Sequence, residues 1–268
     1  MKMYAKPLLL AVSILVCCGG CSVNPVTGKQ QFTLFMPSPA EEKQIGEKYA
    51  PEMEKQMGGE IENAELQSYI NQVGQKIAKA SHTPNAHFEY AALNDKAVNA
   101  FALPGGYIYI TRGMLEQLNS EAQLAAILGH ETAHVTARHS AQAISEQIGM
   151  ELLIGAISTE KTGQGVVTVA KLGSELIDLK YSRTHESEAD SIGLDYMVKA
   201  GYNPIGMAQT MEILQRKSGS KSFEWLSTHP NPQNRLADIN KWIRKRYPNA
   251  SGLATNEAAF RQNVLANF

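Results

Sequence analysis

A chain of 268 residues with 43% hydrophobic residues and a formal net charge of −1 is long enough for one sizeable domain, and it lacks the basic stripe that a nucleic-acid partner would require. No stretch reaches the ~20 consecutive apolar residues of a membrane-spanning helix, since the first apolar run covers only Leu8 to Val16 and the run Ile148 to Ile157 contains Glu151. All three cysteines (Cys17, Cys18 and Cys21) lie at the start, so beyond Cys21 the fold has neither thiol nor disulfide and depends on its core and on any metal it holds.

Lys2 and Lys6, the apolar run and the small pair Gly19-Gly20 follow the layout of a secretory signal over residues 1–20. Gly20-Cys21-Ser22 resembles a bacterial lipobox, which implies cleavage before Cys21 and lipid on its thiol. Cys18 occupies a position where Leu is usual, so Cys18 as acceptor and ordinary secretion with cleavage nearby both stand as alternatives. Ser22 fits the rule for outer-membrane sorting, which implies a periplasm-facing protein, lipid-anchored to the outer membrane of a bacterial envelope.

Residues 21–40, with Pro25, Gly28, Pro37 and Pro39, read as a tether, followed by a domain over 41–247 and a tail of little signal over 248–268. Ile45, Tyr49, Met53 and Met57 mark a first helix, and Leu66, Ile70, Val73 and Ile77 a second, both as core stripes. Phe88, Tyr90 and Ala92 alternate, as do Tyr107 to Ile110 after Pro104-Gly105-Gly106, which predicts a small antiparallel sheet with a turn at the glycines. Ser120 with Gln123 reads as a capping box opening a helical run from Leu124 to Ala143. The polar segment Ser158 to Gly165 reads as a loop that could cover a cleft, and a further helix runs from about Thr184 to Lys199, stopping at Gly201. Asn203-Pro204 and Asn231-Pro232 each start another, and Lys241, Arg244, Lys245 and Arg246 form a cationic last turn that suits the helix dipole.

The chemistry centres on His130-Glu131-Thr132-Ala133-His134. At ~100° per residue, His130, Glu131 and His134 share a narrow arc of one helix face. Two imidazoles one turn apart can bind one zinc ion, and the glutamate beside them can take a proton from a water that the metal activates. Hydrogen-bonded core histidines are the alternative reading of the same pair.

Zinc needs a third protein ligand. His139 would lie about 180° from His130 on an unbroken helix, pointing away, so both it and Arg138 read as structural. Glu186 and Asp190, spaced i, i+4, project from one face of the later helix. Glu186 can bind the metal while Asp190 accepts the free ring N–H of a ligand histidine, His130 first among them. Glu188 lies about 200° from Glu186 and is the less favoured ligand. A solvated acidic face is the alternative.

His130 to His134 followed by Glu186 and Asp190 resembles the gluzincin metalloproteases and, within them, the family of HtpX and the CAAX prenyl endopeptidases. Asn99 to Ile108 is similar to that family's strand before the active-site helix, and Thr228-His229-Pro230 with Arg235 to its downstream His-Pro element. Among its branches the chain looks like the BepA type of periplasmic lipoprotein proteases. Thr132 departs from the family's usual aliphatic residue, and the chain lacks the multiple membrane spans of HtpX and the CAAX enzymes.

The resemblance implies an α+β fold: a mostly helical zincin-type domain with a small sheet beside the active-site helix, and one Zn2+ per chain held by His130, His134 and Glu186. It implies an endopeptidase whose Glu131 is general base, and whose partners are unfolded or misassembled envelope proteins and the outer-membrane assembly machinery, with no nucleic acid. It also makes Asn99 to Phe101 a candidate substrate-binding edge, a packed internal strand being equally consistent. His229 and Arg235 are candidates to stabilise the oxyanion. His229 has two other readings: a fourth zinc ligand that keeps the protease latent, or a plain structural residue. A zinc-stabilised chaperone with little proteolysis is the rival function, and an exopeptidase or amidase ranks below it.

Overall fold

Helix α1 (Pro39–Gln56) begins at a complete capping box: the Ser38 hydroxyl accepts from the Glu41 amide at 3.3 Å and the Glu41 carboxylate accepts from the Ser38 amide at 2.7 Å. Helix α2 (Ala64–Ala80) is capped by Asn63. The two apolar stripes expected from their spacing are buried, Ile45, Tyr49 and Met53 in α1 and Leu66, Ile70, Val73 and Ile77 in α2. The computed structural model describes residues 21–33, 35–146, 179–217, 224–229 and 234–268. The signal segment with Cys17 and Cys18, the run Ile148 to Ile157, the loop Ser158 to Gly165, and Pro230 with Asn231-Pro232 lie outside the described residues.

The sheet lies between α1 and α2. Its strands β3 (Glu89–Leu93), β4 (Ala100–Leu103) and β5 (Tyr107–Thr111) run in the order β3-β5-β4. Alternate side chains divide between two cores: Tyr90, Ala92, Ile108 and Ile110 pack with α2, while Ala91, Leu93, Phe101 and Tyr109 pack with α1. β4 and β5 form the expected antiparallel hairpin, turning at Gly105 (φ 85°) and Gly106 (φ 96°), a conformation glycine adopts without strain. β3, however, pairs parallel with β5, so the sheet is mixed rather than wholly antiparallel. Alternation shows which face a residue occupies but not which neighbour its strand takes, and here the chain crosses past β5 before returning.

After α3 (Arg112–Leu115) comes α4 (Glu121–Thr136), which is buried on every side. Ser120 caps it through the Gln123 amide at 3.2 Å, but the Gln123 side chain accepts from the Asn119 amide at 2.7 Å, one residue outside the box that the sequence suggests. The helical run also breaks early. Arg138 adopts φ 57°, and the chain is helical again over 139–146. Helix α5 (Arg183–Lys199) lies across α4, followed by α6 (Ile205–Lys217), α7 (Trp225–Thr228), α8 (Arg235–Arg246) and α9 (Glu257–Asn263). Among the described residues no helix is long and apolar enough to cross a membrane.

Both ends of the described chain are packed rather than loose. Residues 21–40, read as a tether, contain an antiparallel hairpin of β1 (Cys21–Val23) and β2 (Gln30–Phe32), whose turn residue Asn24 is buried and donates to the Ala137 carbonyl at 2.7 Å. Cys21 is an exposed free thiol. Residues 248–268, read as a tail, carry α9, whose Phe260 lies in the core, and the Thr255 carbonyl accepts from the Ala122 amide at 3.1 Å. Isolated apolar residues in a polar stretch give no period to read, which is why the segment lacked signal.

Candidate metal centre

Helices α4 and α5 meet at two glycines. A Cβ on Gly193 would come within 2.8 Å of the Gly129 carbonyl carbon and of the His130 amide nitrogen, so only glycine permits this approach. Glu186, Asp190 and Gly193 fall at i, i+4 and i+7 on one stripe of α5. The crossing therefore sets both carboxylates against the α4 face that carries His130 and His134.

The sequence-derived residues converge. His130 Nε2 lies 3.0 Å from His134 Nε2, Glu186 Oε1 lies 3.4 Å from His134 Nε2, and Glu186 Oε2 lies 3.6 Å from His130 Nε2. His229 joins them, its Nδ1 3.0 Å from Glu186 Oε1 and 3.3 Å from His130 Nε2. One ligating atom from each of His130, His134, Glu186 and His229 lies within 4.8 Å of all the others. Glu131 stands beside this group, fully buried, its Oε1 3.7 Å from His229 Nε2.

Behind the cluster, Asp190 Oδ1 is 3.0 Å from His130 Nδ1. Arg235 donates to Asp190 through Nε and Nη2, both at 2.6 Å, and its Nη1 is ion-paired at 2.8 Å with Glu186 Oε2, off the line of a hydrogen bond. The guanidinium is thus engaged by both carboxylates. Pro230, the rest of the His-Pro element, lies outside the described residues.

The electrostatics divide the groups. Burial pushes His134 well below the usual imidazole range, the contact with Glu186 opposing it. Burial would raise Glu186, but the field of His229 and hydrogen bonds from His134 and His229 hold it well below the carboxylate range. Asp190 is lowered because Arg235 outweighs its burial, and burial raises Glu131. Burial alone would lower His229, yet Glu186 and Glu131 leave it raised.

These residues fit a cation. With Asp190 ionised, a neutral His130 carries its proton on Nδ1 and presents a bare lone pair at Nε2. That lone pair faces another on His134 and the Glu186 carboxylate, three electron-rich groups that a positive ion would reconcile. Imidazole nitrogens with one carboxylate oxygen make a donor set suited to zinc.

His139 stays outside the donor cluster, as expected, but it lies behind His134 rather than across the helix from His130. Its Nδ1 lies 3.0 Å from His134 Nδ1, because the helix ends at Thr136 and the left-handed Arg138 turns the chain back behind His134. Arg138 itself bonds Glu42 at 2.8 Å and the Pro37 carbonyl. Glu188 stays outside the cluster and contacts His139 Nε2 at 3.0 Å. Thr132 is accommodated by donating to the Leu128 carbonyl at 2.6 Å and pairing with the Tyr90 hydroxyl at 2.8 Å.

Two neighbours went unread in the sequence. Trp225 stacks on His229 with centroids 4.7 Å apart and an interplanar angle of 13°, and its Nε1 donates to Glu131 Oε1 at 3.4 Å. Tyr181 stacks on His134 at 3.9 Å. The spacing of Trp225 and His229 (one helical turn) was the available signal for the first.

A buried His-Glu-x-x-His helix with a glutamate from a second helix defines a metallopeptidase-type site. The chain belongs to peptidase family M48, whose family model matches residues 64–243. It is 30% identical over 224 residues to the beta-barrel assembly-enhancing protease of Escherichia coli, covering 78% of this chain and 45% of that protein. It is 33% identical over 179 residues to the mitochondrial metalloendopeptidase OMA1 of Schizosaccharomyces pombe, covering 65% of this chain and 52% of that protein. The OMA1 of Arabidopsis thaliana is 32% identical over 211 residues, covering 72% and 43%. The chain thus spans about half the length of these relatives.

Proposed function

We propose that this protein is a zinc-dependent endopeptidase of the bacterial envelope, lipid-anchored through Cys21, facing the periplasm and acting on misfolded or unassembled proteins. The observation that carries the catalytic reading is the convergence of His130, His134 and Glu186 with Glu131 buried beside them. A zinc ion held by these three residues would lower the pKa of a water toward ~7 and polarise a peptide carbonyl.

Glu131 acts as the general base and then returns the proton to the departing amine. Burial raises its carboxyl from the ordinary range, toward the basicity that a base working near neutral pH needs. Trp225 Nε1 and His229 Nε2 flank Oε1, while Oε2 has no hydrogen-bond partner among the described residues and is the oxygen that takes up the proton. Arg235 and Asp190 position the carboxylate and the His130 ring. Substrate lies along the outer side of β4, an edge with no strand paired to it among the described residues.

His229 supplies a latch: its Nδ1 stands among the donors, where it fills the position that substrate chemistry needs open. Cleavage of an unfolded model protein, with metal analysis, tests the reading. Wild type should contain stoichiometric zinc and cleave, and Glu131→Gln should keep the metal and lose at least ~100-fold in rate. Absence of zinc would sink the proposal. His229→Ala should raise proteolysis; a fall would make His229 a stabiliser of the transition state instead, and no change would sink both roles.

A second reading is favoured by the closure of the site, in which all four candidate donors and Glu131 are buried. The protein is then a zinc-stabilised assembly factor that cleaves little, and Glu131→Gln leaves its cellular role intact.

A further inference from the structure

The proton pattern on the far side of His134 is fixed by a chain of four side chains. His134 turns Nε2 toward the candidate metal, so in its neutral form Nδ1 carries the proton. The atom 3.0 Å from that nitrogen is His139 Nδ1, which must therefore present a lone pair. His139 then carries its own proton on Nε2, which donates to Glu188 Oε2 at 3.0 Å. The other Glu188 oxygen lies 2.7 Å from Lys29 Nζ. Each donor meets an acceptor from Lys29 to His134, and only one arrangement of protons satisfies all three contacts.

Lys29 belongs to the N-terminal hairpin, just before β2. That hairpin is fastened at a second point. Asn24 accepts from the amides of Val26 and Thr27 at 2.9 and 3.2 Å, and donates to the Ala137 carbonyl at 2.7 Å, where Gln142 Nε2 also donates at 2.8 Å. Ala137 is where α4 ends and the chain turns to bring His139 back. The hairpin thus holds both the turn that places His139 and the carboxylate that orients it. The rings are clamped as well, His139 stacked on His185 at 4.5 Å and 14°, and His134 on Tyr181 at 3.9 Å.

We propose that the hairpin of residues 21–32 is a working part of the metal centre: through Lys29, Glu188 and His139 it fixes the tautomer and orientation of His134. His139 and Glu188 are positioning residues and touch no substrate. The inference rests on His134 being a metal ligand, and it assigns a role to a segment whose composition reads as a tether.

The test is the zinc dissociation constant of the full chain, measured by competition with a chromophoric chelator. Partners behind a ligand histidine typically contribute 10–100-fold to metal affinity, so His139→Phe and Glu188→Leu should each weaken zinc by roughly 10–100-fold. Glu188→Gln keeps an acceptor for His139 and should stay within a few-fold of wild type. Lys29→Glu sets a like charge against Glu188 and should weaken zinc several-fold although it lies outside the site. The melting temperature without metal separates positioning from general packing: positioning shrinks the increase that zinc produces, while packing lowers the metal-free value and leaves that increase intact. Wild-type zinc affinity in Glu188→Leu and Lys29→Glu would overturn the proposal, and these two variants suffice if His139→Phe does not fold. If the wild-type protein itself binds no zinc, the metal reading fails first; a zinc-binding wild type with unaffected variants removes the hairpin's role alone.

Discussion

Gly129 and Gly193 touch backbone to backbone, and this single contact sets how far the glutamate on α5 stands from the histidines on α4. A Cβ on Gly193 would lie 2.8 Å from the Gly129 carbonyl carbon, with backbone rather than a movable side chain in its way. Gly193→Ala should destabilise the fold by about 1–3 kcal/mol, as overpacked sites do, and widen the donor cluster. Thermal melts with and without zinc check both effects: the metal-free melting temperature should fall, and the zinc-induced rise should shrink.

Arg235 is buried with Asp190 and Glu186, and removing it would strip Asp190 of its counter-charge and Glu186 of one of its partners. Arg235→Met should cost about 3–5 kcal/mol, the usual result of breaking one side of a buried pair. Arg235→Lys should not restore it, since an ammonium cannot offer Asp190 two parallel donors while reaching Glu186. Chemical denaturation of the three proteins, compared in the metal-free state, measures the difference.

Burial, reinforced by the neighbouring His139, holds His185 down to about 4. An unfolded histidine titrates near ~6.5, so between these values the unfolded chain binds a proton that the folded chain refuses. This contribution to stability is complete above pH ~6.5 and is lost progressively as the pH falls toward 4. His139 is lowered in the same direction by its own burial and adds to the trend. Metal-free protein should therefore unfold at lower urea concentration at pH 5 than at pH 7, and His185→Phe should flatten that dependence.

Phe260 of α9 is fully buried against the main core. Phe260→Ala should cost about 3–5 kcal/mol, the loss of a large core side chain, although it lies far along the chain from every candidate ligand. A melting temperature within a degree of wild type would show that α9 packs more loosely than its burial indicates.

The sequence carried the centre of the site because both of its motifs lie on regular helices. His130, Glu131 and His134, and then Glu186 and Asp190, obey helical spacing, and the structure brings them together. The same rule keeps His139 out of the donor cluster but does not show its contact with His134, because the helix stops at Thr136 and the left-handed Arg138, which bonds Glu42 and Pro37, turns the chain back. The core faces of α1, α2 and the strands were readable from period, but the parallel pairing of β3 was not, because strand order is a property of the assembled sheet. Trp225 left no mark beyond its spacing to His229, and the hairpin at 21–32 is too short and polar to show an alternation.

The first turn of α4 is completed by the far end of the chain. The Ala122 amide donates to the Thr255 carbonyl, and Phe260 and Val264 are buried in the same core as Leu124 and Leu128. Every candidate ligand has been synthesised by residue 229, yet the helix that carries two of them lacks its closing contacts until some thirty-five residues later. The donors therefore precede in the chain the residues that close the frame around them, and the geometry of the metal centre is coupled to packing contributed from beyond its own motifs.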